Sequence, residues 1–361
     1  MTGAAGGTVH VVMPDAVDDP LRPSGGNTYD RQVCDGLRAQ GWRVDEHPLA
    51  GTWPRPDQAA RRRLAEVLAR IPDGTATLVD GLIGSTVPDV LLPQSRRLRL
   101  VVLLHMPQPD AARACEQAVL SGVAGVVTTS SSTQQLVVDR YGLSPRRVHV
   151  APPGVEPAPL AAGTPSGARL LCVAAVTPGK GHDLLLSALG RLAGSPGVGA
   201  AARDAWHCTM VGSLTRDPGW AAAVQCRTVD DGLAEQVTFT GARVGQALAS
   251  SYAAADVLVL ASRAETYGMV VTEALARGLP VVATSVGGVP EALGQAADGT
   301  LPGLLVPAGD AVALAGSLRS WLDDDDLRRR LRRAAADRRG TLLGWSETTA
   351  AISRVLAEVA A

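Results

Sequence analysis

Lysine, asparagine and phenylalanine are nearly missing from this chain. Of its 34 basic residues a single one is lysine, Lys180, and Asn27 and Phe239 are the only residues of their kinds. Codons for these three are poor in G and C, so a GC-rich genome accounts for the scarcity as a whole. The same drift would convert a dispensable lysine to arginine, which marks Lys180 as a place where a compact ammonium is wanted and a planar guanidinium is not. Charge of one sign is lacking too: 34 basic against 35 acidic side chains leave a formal net charge of −1, which excludes the broad basic footprint of a nucleic-acid binder. The five cysteines (Cys34, Cys115, Cys172, Cys208, Cys226) are odd in number and scattered, so they form neither a disulfide framework nor a set of metal ligands. No apolar run approaches the ~18–20 residues of a membrane span, and the first residues lack the order of a signal peptide. The expectation is a soluble, cytoplasmic protein.

What is present is ordinary globular material, 46% apolar and 19% charged over 361 residues, a length that predicts two domains of roughly 150–200 residues each. Short β-branched or Leu-rich runs alternate with longer amphipathic stretches, the pattern of βα units on parallel sheets. Strands are expected at Thr8–Met13, Arg43–His47, Ala76–Asp80, Leu98–Leu104, Gly125–Thr128 and Val148–Val150. Helices between them are expected at Thr28–Gln40, closed by Gly41, and at Asp57–Ile71, Gln108–Ser121 and Ser132–Tyr141. The Pro/Gly-rich stretch from Ala151 to Pro157 cannot continue a helix or a central strand and reads as a linker. The alternation then restarts, with strands at Arg169–Ala174, His207–Val211, Val237–Thr240, Val257–Leu260, Val281–Ala283 and Leu304–Val306. Helices at Val312–Leu322, Leu327–Arg338 and Ser346–Val359 close the chain. Two doubly wound α/β halves of this kind are expected to hold a ligand in a cleft at the carboxyl ends of their strands.

Three loops carry candidate chemistry. Ser24-Gly25-Gly26-Asn27-Thr28 follows the first strand and opens a helix. It reads either as a backbone cradle for an anionic or sugar ligand or as a turn with Asn27 as N-cap. Ala174 to Asp183 includes Pro178-Gly179-Lys180-Gly181 and lacks P-loop spacing. Its lysine is either a point charge for a diphosphate or a solvated loop residue. The richest segment runs from Ser262 to Ala274. Glu265 and Glu273 stand eight residues apart, and Gly268 makes a turn that would aim the amides of Met269, Val270 and Val271 outward as an anion site. Two glutamates flanking such a turn can hold hydroxyls on both sides of a diphosphate, which is the chemistry a nucleotide sugar presents.

These residues resemble the retaining glycosyltransferases of glycosyltransferase family 4, with the GT-B fold. Glu265 to Glu273 matches the E-x7-E motif, and the pattern continues through Glu273–Thr284, Val286–Glu291 and Leu304–Asp310. The match is dense over about 150–325 and thinner over 1–150, where Gly25-Gly26 and His105 fit. The resemblance implies an N-terminal acceptor-side Rossmann-like domain (1–156) and a C-terminal nucleotide-sugar domain (157–340). A final helix (341–361) would cross back to the first domain. By the same resemblance Glu273 binds the ribose hydroxyls and Glu265 those of the donor sugar. Lys180 and the amides around Gly268, Met269, Val270 and Val271 hold the diphosphate, with Gly25-Gly26 nearby. The backbone at Gly241-Ala242-Arg243 meets the base, and His105 lines the sugar site unless it is a structural histidine under a loop. His105, Lys180 and Glu265 are the catalytic candidates.

One departure stands out. The family arginine five residues before the lysine is Ala175 here, leaving Arg243 or Arg263 to make up the missing charge. The expected reaction is transfer of a sugar, with retention, from a nucleotide-diphosphate donor such as a UDP-sugar to a hydroxyl of a small-molecule or lipid acceptor. Positioning and charge stabilisation would drive it. No Asp-x-Asp cradle appears in a suitable loop, so no metal and no cofactor is expected beyond the nucleotide sugar as co-substrate. Nucleophilic catalysis by Glu265, an epimerase or phosphorylase on the same fold, and a non-catalytic nucleotide-sugar-binding relative are the other readings. Arg61–Arg63 in the amphipathic Gln58–Ile71 stretch reads as a solvated helix face or as a membrane-surface contact.

Overall fold

The computed structural model describes residues 7–20, 22–194 and 206–360; the first six, which entered the signal-peptide reading, lie outside the described residues. By contacts the chain forms two compact units, one built mainly of Ser24–Gly154 with the preceding strand and Leu343 onward, the other of Val155–Leu342.

The first unit carries strands β1 (Thr8–Pro14), β2 (Arg43–Leu49), β3 (Ala76–Asp80), β4 (Arg99–Leu104), β5 (Gly125–Thr128) and β6 (Val148–Val150). They form one sheet in the order β2-β1-β3-β4-β5-β6, with each neighbouring pair parallel. Alternation along the strands sends Val12, Val79, Val102 and Leu104 into one core, against Leu64, Leu68, Val119 and Val137 of three helices. Val9, Val11, Leu78, Val101 and Leu103 go into the other. There they meet Tyr29, Val33 and Leu37 of the helix Gly25–Ala39 and Ile352, Val355 and Leu356 of the helix Trp345–Ala360. These two helices touch at Gly36, where a Cβ would lie 2.2 Å from Thr349 Oγ1. On the other face, Arg61 of the helix Gln58–Arg70 pairs with Asp89 and Arg63 donates to the Ala50 carbonyl, so two members of the Arg61–Arg63 cluster have partners inside the unit.

The second unit carries β7 (Arg169–Val173), β8 (His207–Val211), β9 (Val237–Gly241), β10 (Val257–Leu260), β11 (Val281–Thr284) and β12 (Gly303–Val306). Their order is β12-β11-β10-β7-β8-β9, again parallel throughout. This is the dinucleotide-fold order, which reverses direction between its first and fourth strands, here β7 and β10. In the first unit the reversal falls between β1 and β3. At such a point the two connections leave toward opposite faces of the sheet and open a crevice at the carboxyl ends.

Two helix starts differ from expectation by three residues or more. The first helix begins at Gly25, because Ser24 Oγ accepts the Asn27 N–H (3.1 Å) and caps it. Asn27 is therefore not the N-cap; its side-chain amide donates to the Ala16 carbonyl (3.0 Å). Gly25 and Gly26 accordingly form the first helical turn and not a loop. The helix expected from Gln108 begins at Arg113. Pro107 and Pro109 bias the residues before them away from helical dihedrals, and the Gln108 N–H donates instead to Glu116 Oε2 (2.9 Å).

Candidate active site

In the second unit the site residues stand on the loops that follow β7 and β10. The chain leaves β7 through Ala174, which donates to Val211 O, and Val176, which donates to Ser213 O. One turn of 3-10 helix, Pro178–Lys180, then ends in Gly181. Gly181 has φ 67°, and a Cβ there would sit 2.0 Å from the Ala261 carbonyl oxygen, so this sharp turn beside the neighbouring strand end is open only to glycine. The turn presents Lys180, whose Nζ lies 2.7 Å from Glu265 Oε1. Ser262 Oγ donates to the same oxygen (2.8 Å), and Thr284 Oγ1 at the end of β11 donates to the Ser262 carbonyl (2.6 Å). Behind Glu265 the backbone is held from beneath: Gly288 N donates to Glu265 O (3.1 Å), and a Cβ on Gly287 would lie 1.7 Å from that oxygen. Buried His182 adds no second cation, since burial pushes its imidazole down to about 4.

Gly268 has φ 94° and opens the helix Met269–Leu275. Of the three amides expected to face a ligand, that of Val271 is used within the turn, donating to Gly268 O at 2.9 Å. Met269 and Val270 are left as the opening amides, because the tight first turn closes one residue earlier than a regular helix. Glu273 lies on this helix, and its Oε2 accepts the Tyr252 hydroxyl (2.7 Å). Burial pushes the Glu273 carboxyl up, an effect opposed by the Tyr252 hydrogen bond and the Arg277 charge. Tyr252 was invisible to the motif reading, because it lies 21 residues from its partner on a different helix.

The arginines offered in place of the residue at Ala175 have other occupations. Arg263 makes a two-pronged pair with Asp183 (2.8 and 2.5 Å) and donates to Pro178 O (2.7 Å). It thereby ties the Glu265 loop to the Lys180 loop. Arg243, half-buried, donates to Ser251 Oγ (2.9 Å). Gly241 ends β9 with φ 73° and accepts the Gly212 N–H (3.0 Å).

In the first unit His105 follows β4. Its Nε2 lies 2.7 Å from Asp30 Oδ1, its ring meets the Tyr29 ring edge-on, and Gly26 packs so closely that a Cβ there would be 3.4 Å from His105 Cδ2. Burial lowers the His105 pKa, but the charge and hydrogen bond of Asp30 and the charge of Asp80 outweigh it and hold the group at about 9. The Asp30 contact thus favours the imidazolium form. Asp80, last residue of β3, is pushed up by burial and by the neighbouring Asp30 charge. One donor atom from each of Asp30, Asp80 and His105 falls within 4.8 Å of the others, a spacing that a divalent cation could also bridge. Neither aspartate was singled out in the sequence: one is 75 residues from the histidine it holds, and a buried acid has no periodic signature. No helix among the described residues is long and apolar enough to cross a membrane.

Comparison with known proteins agrees in both units. Residues 23–158 match the family described as Glycosyltransferase Family 4, and residues 165–338 match Glycosyl transferases group 1. The chain is 33% identical over 362 residues to D-inositol 3-phosphate glycosyltransferase 1 of Catenulispora acidiphila, covering 90% of this chain and 81% of that protein. It is 34% identical over 254 residues to the D-inositol 3-phosphate glycosyltransferase of Stackebrandtia nassauensis, and there the match covers 67% of this chain and 56% of the relative. The chain thus spans little more than half the length of some of the curated relatives it matches. Among solved structures it is similar to a sucrose-phosphate synthase from Thermosynechococcus elongatus (TM-score 0.76, 21% identity, 97% of this chain and 98% of that one). It is equally similar to the Anabaena HepE protein in complex with UDP-glucose (TM-score 0.76, 17% identity, 97% and 99%).

Proposed function

This chain belongs to glycosyltransferase family 4 and has the GT-B fold, and from that premise we propose that it moves a sugar from a nucleotide-diphosphate donor to an acceptor hydroxyl. The donor would be a UDP-sugar, and the reaction would proceed with retention and without a metal ion. The observation that carries this reading is the Lys180–Glu265 pair at 2.7 Å, beside the helix start at Gly268 and with Glu273 on the same short helix. In this reading Lys180 and the opening amides of Met269 and Val270 hold the diphosphate, Glu265 the sugar hydroxyls and Glu273 the ribose. Gly241 and Arg243 take the base. Gly25 and Gly26, at the start of their helix, let ligand approach the His105 side of the first unit.

Lysine suits the leaving group. Its ammonium carries three donors, so it can keep Glu265 and still meet two phosphate oxygens as their charge grows. The bond from the anomeric carbon to the phosphate oxygen breaks with its electron pair going to the diphosphate. The acceptor oxygen bonds to the same carbon on the same face and passes its proton to the departing phosphate oxygen. Charge stabilisation by Lys180, prearranged by Glu265, is the protein's main contribution to rate.

The donor reading is supported by HepE, a structural neighbour described with UDP-glucose. The relatives named for D-inositol 3-phosphate support a small phosphorylated polyol as one acceptor to try. The test is a panel of UDP- and GDP-sugars offered with and without inositol phosphates and simple polyols, in the presence of EDTA. Release of nucleoside diphosphate is followed, and the anomeric configuration of the product is read by NMR. Acceptor-dependent release with the anomer retained is expected. Binding without turnover of any donor would place the chain among non-catalytic relatives, and an altered donor sugar formed without acceptor would reassign it to the epimerases.

A further inference from the structure

Glu273 does not stand alone. The Tyr252 side chain, fully buried at the end of the helix Gly245–Ala253, delivers its hydroxyl proton to Glu273 Oε2 at 2.7 Å. Above the tyrosine ring lies the Arg277 guanidinium, 4.6 Å from the centroid, and Arg277 Nη1 donates to the Glu273 backbone carbonyl at 2.8 Å. The three side chains form a bracket joining two helices, with a carboxylate at its tip. A flexible glutamate would otherwise lose rotamer entropy when it gripped a ligand.

We propose that Tyr252 is the positioning residue for ribose recognition, fixing one oxygen of Glu273 so that the carboxylate is aimed at a vicinal diol. This rests on the assignment of Glu273 to the ribose made above. The chemistry has two parts. A hydroxyl donating to a carboxylate favours its charged form, which counters the upward push that burial exerts on Glu273. Burial also keeps the tyrosine itself protonated and a donor throughout the working range. With Oε2 occupied by Tyr252, Oε1 would be the acceptor for the two hydroxyls, and a ligand lacking those hydroxyls gains nothing from the arrangement.

Tyr252→Phe removes one oxygen and keeps the buried ring. Calorimetric titrations compare UDP with 2′,3′-dideoxy-UDP, and GDP with 2′,3′-dideoxy-GDP, on wild type, Tyr252→Phe and Glu273→Gln at pH 6 and pH 8. The expected result for whichever base binds is a roughly tenfold loss of affinity for the ribonucleotide in Tyr252→Phe at pH 6. That loss shrinks toward higher pH, the direction set by the upward push of burial on the carboxyl, and the dideoxy form binds as to wild type. Glu273→Gln should show the loss at both pH values. Wild-type discrimination between ribo and dideoxy forms that persists in Tyr252→Phe overturns this inference alone, as does an equal loss for both forms at both pH values. A wild type that does not discriminate, or that binds neither nucleotide, overturns the ribose assignment and this inference with it.

Discussion

Neutralising Glu265 should tighten nucleotide binding while slowing sugar transfer, a pairing of opposite effects that follows from the geometry of its ion pair with Lys180. The ammonium sits 2.7 Å from Glu265 Oε1, and a phosphate oxygen on its other side would lie about 2.8 Å away. The two anions would then stand about 5 Å apart across one cation, a repulsion of about 3 kcal/mol at an effective dielectric of about 20. Lys180 retains 34% of its side-chain exposure and Glu265 retains 11%, so solvent screens part of this, and about 1 kcal/mol, or roughly fivefold in affinity, is the working figure. Glu265→Gln keeps an acceptor for Lys180 and removes the charge. UDP, or the nucleotide that binds in its place, should bind about fivefold tighter, and turnover of the intact donor should fall because the acceptor for its sugar hydroxyls is weakened. Lys180→Ala should move both quantities the same way: nucleotide affinity down by about tenfold or more, the scale of a charge-assisted hydrogen bond, and turnover down by more than ~10²-fold. Calorimetry and initial rates on the two variants and their double mutant decide it. Weaker nucleotide binding by Glu265→Gln, or wild-type turnover by Lys180→Ala, would refute the reasoning.

Gly287→Ala should lower the melting temperature and cut donor turnover by more than tenfold, since its Cβ would lie 1.7 Å from the Glu265 carbonyl oxygen; Gly179→Ala, with nothing within 4 Å of the added atom, should do neither, and equal behaviour of the two would sink the steric argument. His105, held at about 9 against an ordinary 6.5, contributes stability that is complete below about pH 6.5 and is lost as pH rises through 9, and the raised Asp80 carboxyl acts in the same direction at lower pH. Melting curves should therefore decline toward alkaline pH in wild type and be flatter in Asp30→Asn; parallel curves would show that the Asp30–His105 pair does not set the slope. Arg243→Ala and Arg263→Ala test whether either arginine offsets the alanine at 175: initial rates should fall about tenfold for at least one, and unchanged rates for both would reject the substitution.

The strands were legible because a parallel sheet covered on both faces needs uninterrupted apolar runs. β3, β5, β6, β8 and β10 begin and end where the sequence predicts them. Lys180, Glu265 and Glu273 were legible for another reason: each lies within a few residues of a strand end or of a glycine that forces a turn. What escaped was set by tertiary choice. Ser24 and Asn27 are both good caps; Ser24 takes the role while the Asn27 side chain donates to the Ala16 carbonyl. The Val271 amide looks available in sequence, yet the first turn consumes it. Asp30, Asp80 and Tyr252 act through partners 21 to 75 residues away or on another strand, distances over which no periodicity carries information.

Both units place their charged groups by the same topological rule and arrive at different sets. In each, the groups gather at the carboxyl ends of the strands flanking the reversal of sheet order, where connections to opposite faces leave a crevice lined by backbone. The first unit puts two buried acids and one imidazole there, Asp30, Asp80 and His105, a set in which the imidazole offsets the Asp30 charge and the carboxyl oxygens offer acceptors to hydroxyl donors. The second puts a lone ammonium and a helix start there, with carboxylates at the flanks, a set suited to a polyanion that carries hydroxyls on either side. In the proposed reading a nucleoside diphosphate sugar would meet the second arrangement with ribose at Glu273, diphosphate at Lys180 and sugar at Glu265. An acceptor hydroxyl is the partner left for the first. If the proposed reading holds and the donor binds the second unit, a variant such as Asp30→Asn should leave nucleotide affinity untouched while changing the acceptor's KM. A shift in nucleotide affinity instead would break the division of labour.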